Sequence, residues 1–297
     1  MKVGIDIGGS HMAIGVINEE NEIIEKFEKD YTPEEKNNII PTIEKYIIET
    51  ISELKNKHYI EEIGIAVPGS TKNGIINKAV NLGIKNYDIG KAISEKMQIP
   101  VQVRNDAKCA CLAEYNYLIK NSQNNINNMV FLAIGTGIGG GVIYDGKLLS
   151  GNKFDGFELG HIVIKEGGIP CKCGRQGCFE RYGSILEYKN KVKERLNIPD
   201  HINAQPLRDI MNPNAEKIED LRQEYLDDLA LGISNLINIF EPDAVILGGG
   251  FTHFAYMFMD DLKAKIVNSN LLFNKRDDID LRTAELENDA AMIGSIL

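Results

Sequence analysis

Four residues with metal-binding side chains crowd one short stretch of the chain: His161, Cys171, Cys173 and Cys178. Three of the five cysteines in the 297-residue sequence fall within this stretch, close together. Gly174 and Gly177 lie between the last two and permit the tight turns that would bring the thiols to one point. Three thiolates and one imidazole complete a tetrahedral shell that suits structural Zn²⁺. The stretch therefore predicts a zinc-binding loop, and the alternative is a surface loop of reduced cysteines with His161 in an ordinary strand.

Two glutamates, Glu158 and Glu180, stand just outside this predicted ligand set. A bound zinc ion would contribute roughly 10–16 kcal/mol of apparent binding energy to the loop, and it would thereby hold both carboxylates in place. A carboxylate accepts hydrogen bonds from paired hydroxyl groups. The rigid loop therefore suggests a binding wall for a ligand rich in hydroxyls.

A carboxylate also interrupts the first apolar strand of the chain. Asp6 lies in that strand, and the turn Gly8-Gly9-Ser10 leads into a returning strand, so the glycines sit in a tight hairpin. A carboxylate is costly to bury in an apolar strand without a cation or hydrogen-bond donors. Asp6 either faces water at a sheet edge or holds a hydrated Mg²⁺ beside a turn whose N–H groups meet phosphate.

A second glycine-rich unit repeats this order later in the chain. The strand over 129–134 leads into a glycine-rich turn over 135–141, and a returning strand follows over 142–144. A strand after the glycines, rather than a helix, counts against a Rossmann dinucleotide site. Two such units, one in each of two domains, could grip one polyphosphate from both sides.

Three further loops follow apolar strands. Pro68-Gly69-Ser70 is a turn that could approach a ligand closely. Gly248-Gly249-Gly250 separates a strand from a predicted helix, which suits a nucleotide phosphate or ribose. Asn105 and Asp106 lie between another strand and the next helix. Either residue could be the helix N-cap, or Asp106 faces a cleft as a general base.

The composition describes a folded, acidic protein. Hydrophobic residues make up 43% and charged residues 26% of the chain, proportions typical of globular proteins. The formal net charge of −10 argues against broad contact with a nucleic-acid backbone, and no apolar run reaches the roughly 20 residues of a membrane span. An odd number of clustered cysteines fits a reducing cytoplasm. We therefore expect a cytoplasmic protein that binds neither nucleic acid nor membrane.

The elements that must position these residues are strands and helices of an α/β protein. Apolar residues at helical spacing predict a helix over 34–57, which Pro41 either kinks or truly begins. A polar tract over 121–128 marks a domain junction. We expect a first domain over 1–120, completed by a C-terminal helix over 288–297, and a second over 121–287 that carries the zinc-binding loop.

Seven motifs follow one another along the chain: DIGGS at 6–10, VPG at 67–69, ND at 105–106, GTGIGGG at 135–141, ELGH at 158–161, CKCGRQGCFE at 171–180 and LGGG at 247–250. This order resembles the ROK family of bacterial sugar kinases and related repressors. The resemblance spans essentially the whole chain, and the cysteine-rich segment is its most specific part. It implies an α/β protein with the two-domain, ribonuclease H-like fold of the actin-like ATPases, with the active-site cleft between the domains.

The resemblance also implies a role for each motif. Asp106 would be the base that deprotonates a sugar hydroxyl. The sugar would be contacted by Gly69, Asn105, Asp106, Glu158, His161 and Glu180. ATP would be bound by glycine-rich turns, with Mg²⁺ near Asp6: Gly8, Gly9, Ser10, Thr136, Gly137, Gly248 and Gly249. Structural Zn²⁺ would be held by His161, Cys171, Cys173 and Cys178, so that His161 would use one ring nitrogen for the metal and the other for the sugar.

Two positions depart from the family pattern. His11 stands where the family usually has lysine after its glycine-rich turn, and Gly156-Phe157 stands where the family often has Ala-Gly. A bulky Phe157 beside the pocket could reshape the choice of sugar.

We expect an ATP-dependent kinase that transfers the γ-phosphate to a hexose hydroxyl, with glucose favoured because Glu158 suits a hydroxyl-rich sugar. N-acetylmannosamine, fructose, allose and other hexosamines are the alternatives within the family. A sugar-responsive transcription factor is disfavoured, because the strand at Val3 leaves no room for an N-terminal helix-turn-helix domain. A non-catalytic sugar sensor is disfavoured by the intact Asp106. The family likeness also suggests a homodimer or homotetramer.

Overall fold

The computed structural model of the chain describes residues 1–121, 125–152, 156–202, 204–268 and 280–297. The strands in these residues are β1 Lys2–Ile7, β2 His11–Ile17, β3 Ile23–Asp30, β4 Glu62–Val67, β5 Ser70–Lys72, β6 Ile75–Ala79, β7 Ile84–Asp88, β8 Val101–Asn105, β9 Met129–Ile134, β10 Ile138–Tyr144, β11 Lys147–Leu148, β12 Ala244–Gly248 and β13 Asp280–Thr283. The α-helices are α1 Pro33–Asn37, α2 Ile39–Leu54, α3 Ile89–Met97, α4 Asp106–Asn121, α5 Glu180–Gly183, α6 Ile185–Leu196, α7 Ala204–Met211, α8 Glu219–Phe240, α9 Met259–Asn268 and α10 Ala290–Gly294.

The chain divides into two compact units. Unit 1 comprises Met1–Gln123, Leu148–Phe157 and Asn288–Leu297, and unit 2 comprises Asn124–Lys147 and Glu158–Glu287. Each unit is built on a five-stranded sheet with both parallel and antiparallel pairs.

The large sheet of unit 1 has the strand order β3-β2-β1-β4-β8. β1 and β2 form the predicted antiparallel hairpin, and β1, β4 and β8 run parallel. Side chains alternate across β1, so that Val3, Ile5 and Ile7 are buried in the hydrophobic core while Asp6 faces the other way. Because parallel strands end at the same edge of a sheet, the residues that follow β1, β4 and β8 are brought together there.

One helix was predicted over 34–57, with Pro41 either kinking it or marking its true start, and the structure breaks the helix at Asn38, three residues before Pro41. The structure has two helices, α1 and α2, separated at Asn38, whose backbone has the non-helical angles φ −132° and ψ 52°. Thr32 and Glu35 form a reciprocal capping box that begins α1. Pro41 lies in the first turn of α2, where a missing N–H group breaks no helical hydrogen bond. The apolar face of α2 packs into the core as the helical spacing predicted.

The large sheet of unit 2 has the order β11-β10-β9-β12-β13. β9 and β10 form an antiparallel hairpin, and β9, β12 and β13 run parallel. The predicted turn over 135–141 is too long, because Gly139-Gly140-Gly141 lie inside β10. A Cβ atom on Gly140 would lie 2.4 Å from the carbonyl oxygen of Phe131, so close packing rather than a turn requires glycine at this position.

The glycines after β12 do not lead directly into an α-helix, as the sequence had predicted. A 3₁₀ helix over Gly249–Met257 follows β12, and α9 begins only at Met259. Gly249 has a φ of +70°, a conformation that an L side chain rarely adopts. Among the helices in the described part of the chain, none has the length and apolar character to cross a membrane.

Candidate functional site

The carboxyl edge of the parallel strands in unit 1 collects the residues predicted there. β1 ends just after Asp6, β4 is followed by Pro68 and Gly69, and β8 is followed by Asp106. Gly69 has a φ of +94°, and a Cβ atom on it would lie 2.2 Å from the carbonyl oxygen of Lys78. Only glycine therefore lets the chain turn this tightly at the end of β4.

A hydrogen-bond network around Asn105 decides between the two interpretations of the Asn-Asp pair. The Asn105 Oδ1 atom accepts a hydrogen bond from the Lys108 N–H at 3.1 Å, so Asn105 caps α4. The Asn105 Nδ2 group donates to the Gly69 carbonyl oxygen at 3.0 Å and to Asp106 Oδ1 at 2.9 Å. The Ala107 N–H donates to the same Oδ1 atom at 2.8 Å. Asp106 is thus not needed as the cap, and two donors fix the orientation of its carboxylate.

Asp6 is a carboxylate in an unfavourable setting. Its burial, and secondly the negative charge of Asp106, raise the pKa of Asp6 to about 7, although Lys26 acts in the opposite direction. No hydrogen bond or ion pair to the Asp6 carboxylate is formed by the residues that the structure describes. Two carboxylates that repel each other, one of them without a donor, are a setting that a divalent cation would stabilise. The donor set of unit 1 therefore fits Mg²⁺ near Asp6.

The hairpin turn beside Asp6 is open to solvent. The Gly8 N–H donates to the His11 carbonyl oxygen at 2.9 Å and closes the turn. Gly9 and Ser10 are exposed, and the nearest atom to a Cβ built on Gly9 would be Cβ of Asn81 at 3.6 Å. The side chain of His11 is also exposed. Gly9 and Ser10 therefore present backbone and one small side chain, as a phosphate-binding turn requires, while the His11 imidazole lies beside Gly8.

In unit 2 the four predicted metal ligands converge. Their donor atoms all lie within 4.8 Å of one another. The distance from His161 Nδ1 to Cys171 Sγ is 3.6 Å, and that from Cys173 Sγ to Cys178 Sγ is also 3.6 Å. A tetrahedral zinc site with ordinary bond lengths has edges of about 3.6 Å between nitrogen and sulfur and about 3.8 Å between two sulfurs. The donor set therefore fits Zn²⁺, with Nδ1 as the nitrogen of His161 that faces the metal position.

Glycines shape this loop as the sequence predicted. Gly174 and Gly177 have φ angles of +93° and +78°, and a Cβ atom on Gly177 would lie 1.7 Å from the Lys165 carbonyl oxygen. Burial and the neighbouring thiols raise the pKa of the Cys178 thiol to about 12. Three thiolates would therefore repel one another without a cation at their centre.

Glu180 connects the cysteine-rich loop to the glycine turn of the same unit. Its Oε1 atom lies 3.9 Å from Cys171 Sγ, and its Oε2 atom accepts a hydrogen bond from the Ile138 N–H at 3.1 Å. A Cβ atom on Gly137 would lie 2.1 Å from Oε2. The sequence had marked Glu180 as a sugar contact, but it carried no signal for the bond to Ile138. Glu158, by contrast, is exposed at the start of the 3₁₀ turn that ends at His161.

Two glycine turns of unit 2 lie side by side at the ends of neighbouring parallel strands. Gly248 at the end of β12 pairs with Ala133 of β9. A Cβ atom on Gly135 would lie 3.9 Å from the Gly250 nitrogen, and Thr136 between the glycines is exposed. Adjacent turns of bare backbone suit a phosphate or a ribose.

The two units therefore hold different parts of the predicted site. Unit 1 contains Asp6, Gly8, Gly9, Ser10, Gly69, Asn105 and Asp106, and unit 2 contains Thr136, Gly137, Glu158, His161, Glu180, Gly248, Gly249 and the three cysteines. Within unit 1 the sequence analysis overlooked Tyr31, a buried tyrosine beside the first glycine turn.

Comparison with known proteins identifies the relatives of this arrangement. A model of the ROK family matches residues 2–297. The chain belongs to the ROK family. The crystal structure of a ROK family glucokinase from Streptomyces griseus in complex with glucose and AMPPNP superposes with a TM-score of 0.80 at 25% identity, over 99% of this chain and 97% of that one. This ROK protein thus has the predicted α/β actin-like ATPase fold.

Curated relatives of this ROK protein include both enzymes and regulators. The glucokinase of Halalkalibacterium halodurans is 29% identical over 312 residues, which cover 98% of this chain and 92% of the glucokinase. The xylose repressor of Caldicellulosiruptor bescii is 25% identical over 309 residues, which cover 99% of this chain and 76% of the repressor. The family alone therefore does not decide between catalysis and regulation.

Proposed function

We propose that this ROK protein is an ATP-dependent sugar kinase that transfers the γ-phosphate of ATP to a hydroxyl group of a hexose, with glucose as the preferred acceptor. The observation that carries the proposal is the pair of carboxylates, Asp6 and Asp106, at the carboxyl edge of parallel strands beside an open Gly-Gly-Ser turn. A sugar sensor needs hydrogen-bonding groups, but it has no use for a second carboxylate that receives no hydrogen bond from the described part of the chain. Phosphoryl transfer needs both a base and a cation site.

The two carboxylates would divide the chemistry between them. Asp106, whose Oδ1 atom is held by Asn105 and Ala107, would accept the proton of the sugar hydroxyl. The sugar oxygen would then form a bond to the γ-phosphorus while the bond from that phosphorus to the β-phosphate oxygen breaks, giving sugar phosphate and ADP. Bound Mg²⁺, held near Asp6, would neutralise charge on the phosphates. The turn Gly8-Gly9-Ser10 would donate backbone hydrogen bonds to them.

The residues of unit 2 would bind and position. Thr136, Gly137, Gly248 and Gly249 would seat the nucleotide, and Glu158, His161 and Glu180 would accept or donate hydrogen bonds to sugar hydroxyls. Zn²⁺ held by His161 and the three cysteines would have a structural role, because all four of its positions would be filled by protein ligands. With Nδ1 of His161 on the metal side, the Nε2 atom would remain for the sugar.

Phe157 bears on which hexose is preferred. It has a φ of +53°, and Gly156 before it has a φ of +62°, so a bulky residue adopts a left-handed conformation that costs about 1 kcal/mol or more. The buried Lys108 fastens this turn, because its Nζ group donates to the Gly156 carbonyl oxygen at 3.0 Å. A fixed aromatic residue next to Glu158 would restrict bulky substituents on the sugar, which favours glucose over N-acetylated hexosamines.

A coupled assay of ADP release tests the proposal. Purified protein with Mg-ATP is offered glucose, N-acetylmannosamine, N-acetylglucosamine, fructose, mannose and allose in turn. We expect turnover, with the highest kcat/KM for glucose. Preference for an N-acetylated sugar would retain the kinase and overturn glucose as the acceptor. Absence of turnover with all six would contradict the kinase, provided that the same preparation is folded and contains zinc.

Regulation by sugar binding is the second candidate, because the match to the xylose repressor covers nearly all of this chain. A regulator would bind a sugar, measured by calorimetry, without releasing ADP. Sugar binding without turnover in folded protein that contains zinc would favour this alternative over the kinase.

A further inference from the structure

A buried ion pair fastens the cysteine-rich loop to helix α8, four residues after the metal ligand His161. Asp228 lies near the middle of α8, and its side chain is only 7% exposed. The Lys165 Nζ group lies 2.7 Å from Asp228 Oδ1 and 2.9 Å from Oδ2. Because a carboxylate is costly to bury without a cation, the pair holds the loop at this one point of the helix.

The aromatic ring of Tyr182 extends this attachment toward the metal ligands. The Lys165 Nζ group lies 4.5 Å from the centre of the ring, within the range of a cation–π interaction. The Tyr182 hydroxyl group accepts a hydrogen bond from the Ile169 N–H at 2.7 Å. A Cβ atom on Gly168 would lie 2.0 Å from the same hydroxyl oxygen, so the chain passes the ring as a glycine. The ligand Cys171 follows Ile169 by two residues, so continuous contacts lead to it from α8.

The backbone links Lys165 to metal ligands on both sides of the loop. The Ile164 N–H and the Lys165 N–H both donate to the Gly177 carbonyl oxygen, at 2.9 and 3.3 Å. His161 lies three residues before Ile164, and Cys178 directly follows Gly177. The ion pair therefore supports two ligands through the backbone, without contact of its own with the metal position.

We propose that Lys165 and Asp228 are positioning residues for the metal site, and that their ion pair holds the segment after His161 in place before the metal binds. Metal-binding loops often become ordered only with the metal, and the cost of this ordering lowers the apparent affinity. A segment already held by the ion pair removes part of that cost. The inference rests on the metal site and not on the proposed kinase, so its test requires no turnover.

Asp228→Asn tests this inference, and Asp227→Asn is its matched control. Asp228→Asn keeps the shape of the side chain and removes the charge that holds Lys165, whose side chain is 39% exposed and can turn to water. Asp227 is the preceding residue of α8 and forms an ion pair with Lys265 of α9, with its own side chain 65% exposed. Both variants should therefore fold. Lys165→Arg keeps a cation that can pair with Asp228 and should behave like the unsubstituted protein.

The measurement is a titration of the metal-stripped protein with Zn²⁺ in competition with a chelator of known affinity. We expect Asp228→Asn to bind Zn²⁺ about tenfold more weakly, as the loss of a hydrogen bond between charged groups does. Asp227→Asn and Lys165→Arg should stay within about twofold of the unsubstituted protein. Saturation with Co²⁺ should give every variant the same absorption spectrum of tetrahedral sulfur coordination, because the four ligands are unchanged.

Hydrogen exchange of the metal-stripped protein locates the effect within the loop. The Gly168 N–H donates to the Lys165 carbonyl oxygen at 3.1 Å, and the Ile169 N–H donates to Tyr182. Both amides should exchange faster in Asp228→Asn than in the control, because the attachment of their acceptors to α8 is lost. The amides of α8 itself should exchange at equal rates in the two variants.

Two results would overturn the inference. One is an equal zinc affinity of Asp228→Asn and Asp227→Asn. The other is a weaker affinity together with a changed Co²⁺ spectrum or faster exchange throughout α8, which would assign the ion pair to the general packing of unit 2. If Asp228→Asn does not fold, Tyr182→Phe replaces it, because it removes only the acceptor of the Ile169 N–H. Tyr182→Phe should also weaken zinc binding, and an unchanged affinity would again contradict the inference.

Discussion

The two glycine hairpins share one backbone plan but differ in the side chain that precedes the turn. In unit 1 the sequence Asp6-Ile7-Gly8 leads into the turn between β1 and β2, and in unit 2 the sequence Ala133-Ile134-Gly135 leads into the turn between β9 and β10. The strand orders around the two hairpins also correspond, with one returning antiparallel neighbour and one parallel neighbour each. Asp6 and Ala133 thus occupy equivalent places.

This difference changes which chemistry each hairpin could support. Asp6 and Asp106 give unit 1 a concentration of negative charge that suits a cation and a base. In unit 2 the carboxylate nearest the turn is Glu180, which comes from the cysteine-rich loop and is satisfied by the Ile138 N–H. In the proposed kinase, each hairpin would supply backbone donors for phosphate, and the side chains around the turn would decide whether it takes part in catalysis or only in binding.

Removal of the proposed base in unit 1 should have the largest effect, a loss of catalytic turnover. Asp106→Asn keeps the shape of the side chain but cannot accept a proton, so kcat should fall about 10²–10⁴-fold. Zinc content, sugar affinity and thermal stability should stay close to those of the unsubstituted protein. The ADP-release assay measures kcat, with Asp145→Asn in an exposed turn as the control. Full activity of Asp106→Asn would remove Asp106 from its proposed role.

Loss of zinc should affect the turn of unit 2 and spare that of unit 1. Cys178→Ala should abolish the bound zinc, because three ligands no longer close the tetrahedral shell. Glu180 then loses its support, and the segment 135–144 should exchange its amide hydrogens faster, whereas 3–17 should not. Hydrogen exchange and metal analysis measure the two effects.

Cys111→Ala is the control for this prediction, since it removes a buried thiol from α4 outside the ligand set. It should retain one zinc ion per chain. Equal zinc content in the two variants, or equal acceleration of exchange in both hairpins, would contradict the proposed link through Glu180.

Alanine substitutions in the two turns should have unequal costs. A Cβ atom on Gly137 would lie 2.1 Å from Glu180 Oε2, whereas on Gly9 it would meet nothing closer than 3.6 Å. Gly137→Ala should therefore lower the free energy of unfolding by about 1–3 kcal/mol, and Gly9→Ala by less than about 1 kcal/mol. Denaturant unfolding of both variants measures the difference. Equal losses would show that Glu180 can move aside without cost.

The charge of Asp6 should also make the stability of the protein depend on pH. Without Mg²⁺, folded Asp6 keeps its proton up to a pKa of about 7, whereas the unfolded chain releases it near pH 4. The folded state then binds more protons, so its stability should fall as the pH rises from about 4 to about 7, by up to about 1.4 kcal/mol for each pH unit. Thermal unfolding across this range measures the slope.

Asp6→Asn should remove this slope, and Mg²⁺ should reduce it because a cation stabilises the charged carboxylate. Ala133→Asp would place a carboxylate at the equivalent position of unit 2 and should introduce a dependence of the same sign. The same slope in Asp6→Asn as in the unsubstituted protein would show that another group titrates.

Local patterns in the sequence predicted several structural features around the candidate site correctly. The spacing of the three cysteines and their glycines predicted a loop in which the donor atoms converge, because a left-handed glycine reverses the chain within a few residues. Both hairpins were likewise predicted from alternating apolar strands around a glycine turn. Interactions within a few residues are sufficient for such features.

Other features depended on contacts between distant parts of the chain. The sequence left the N-cap of α4 open between Asn105 and Asp106, and only the approach of Gly69 from the end of β4 shows Asn105 bonded to both its neighbours. It placed Gly139-Gly140-Gly141 in a turn, because no local pattern distinguishes a glycine needed for a turn from one needed for close strand packing.

The sequence by itself predicted that His161 and the three cysteines converge, that each unit has a glycine hairpin, and to which family the chain belongs. The tertiary structure decided that the Asp6 carboxylate is buried near another negative charge and that Glu180 receives a hydrogen bond. It also decided that the Tyr31 hydroxyl group has no hydrogen-bond partner among the described residues. Burial is the physical reason for this division. The cost of a charge or an unpaired hydroxyl depends on how much water the packed chain removes from it. The strand that carries Asp6 pairs with β4 and packs against α10, both distant from it in the sequence.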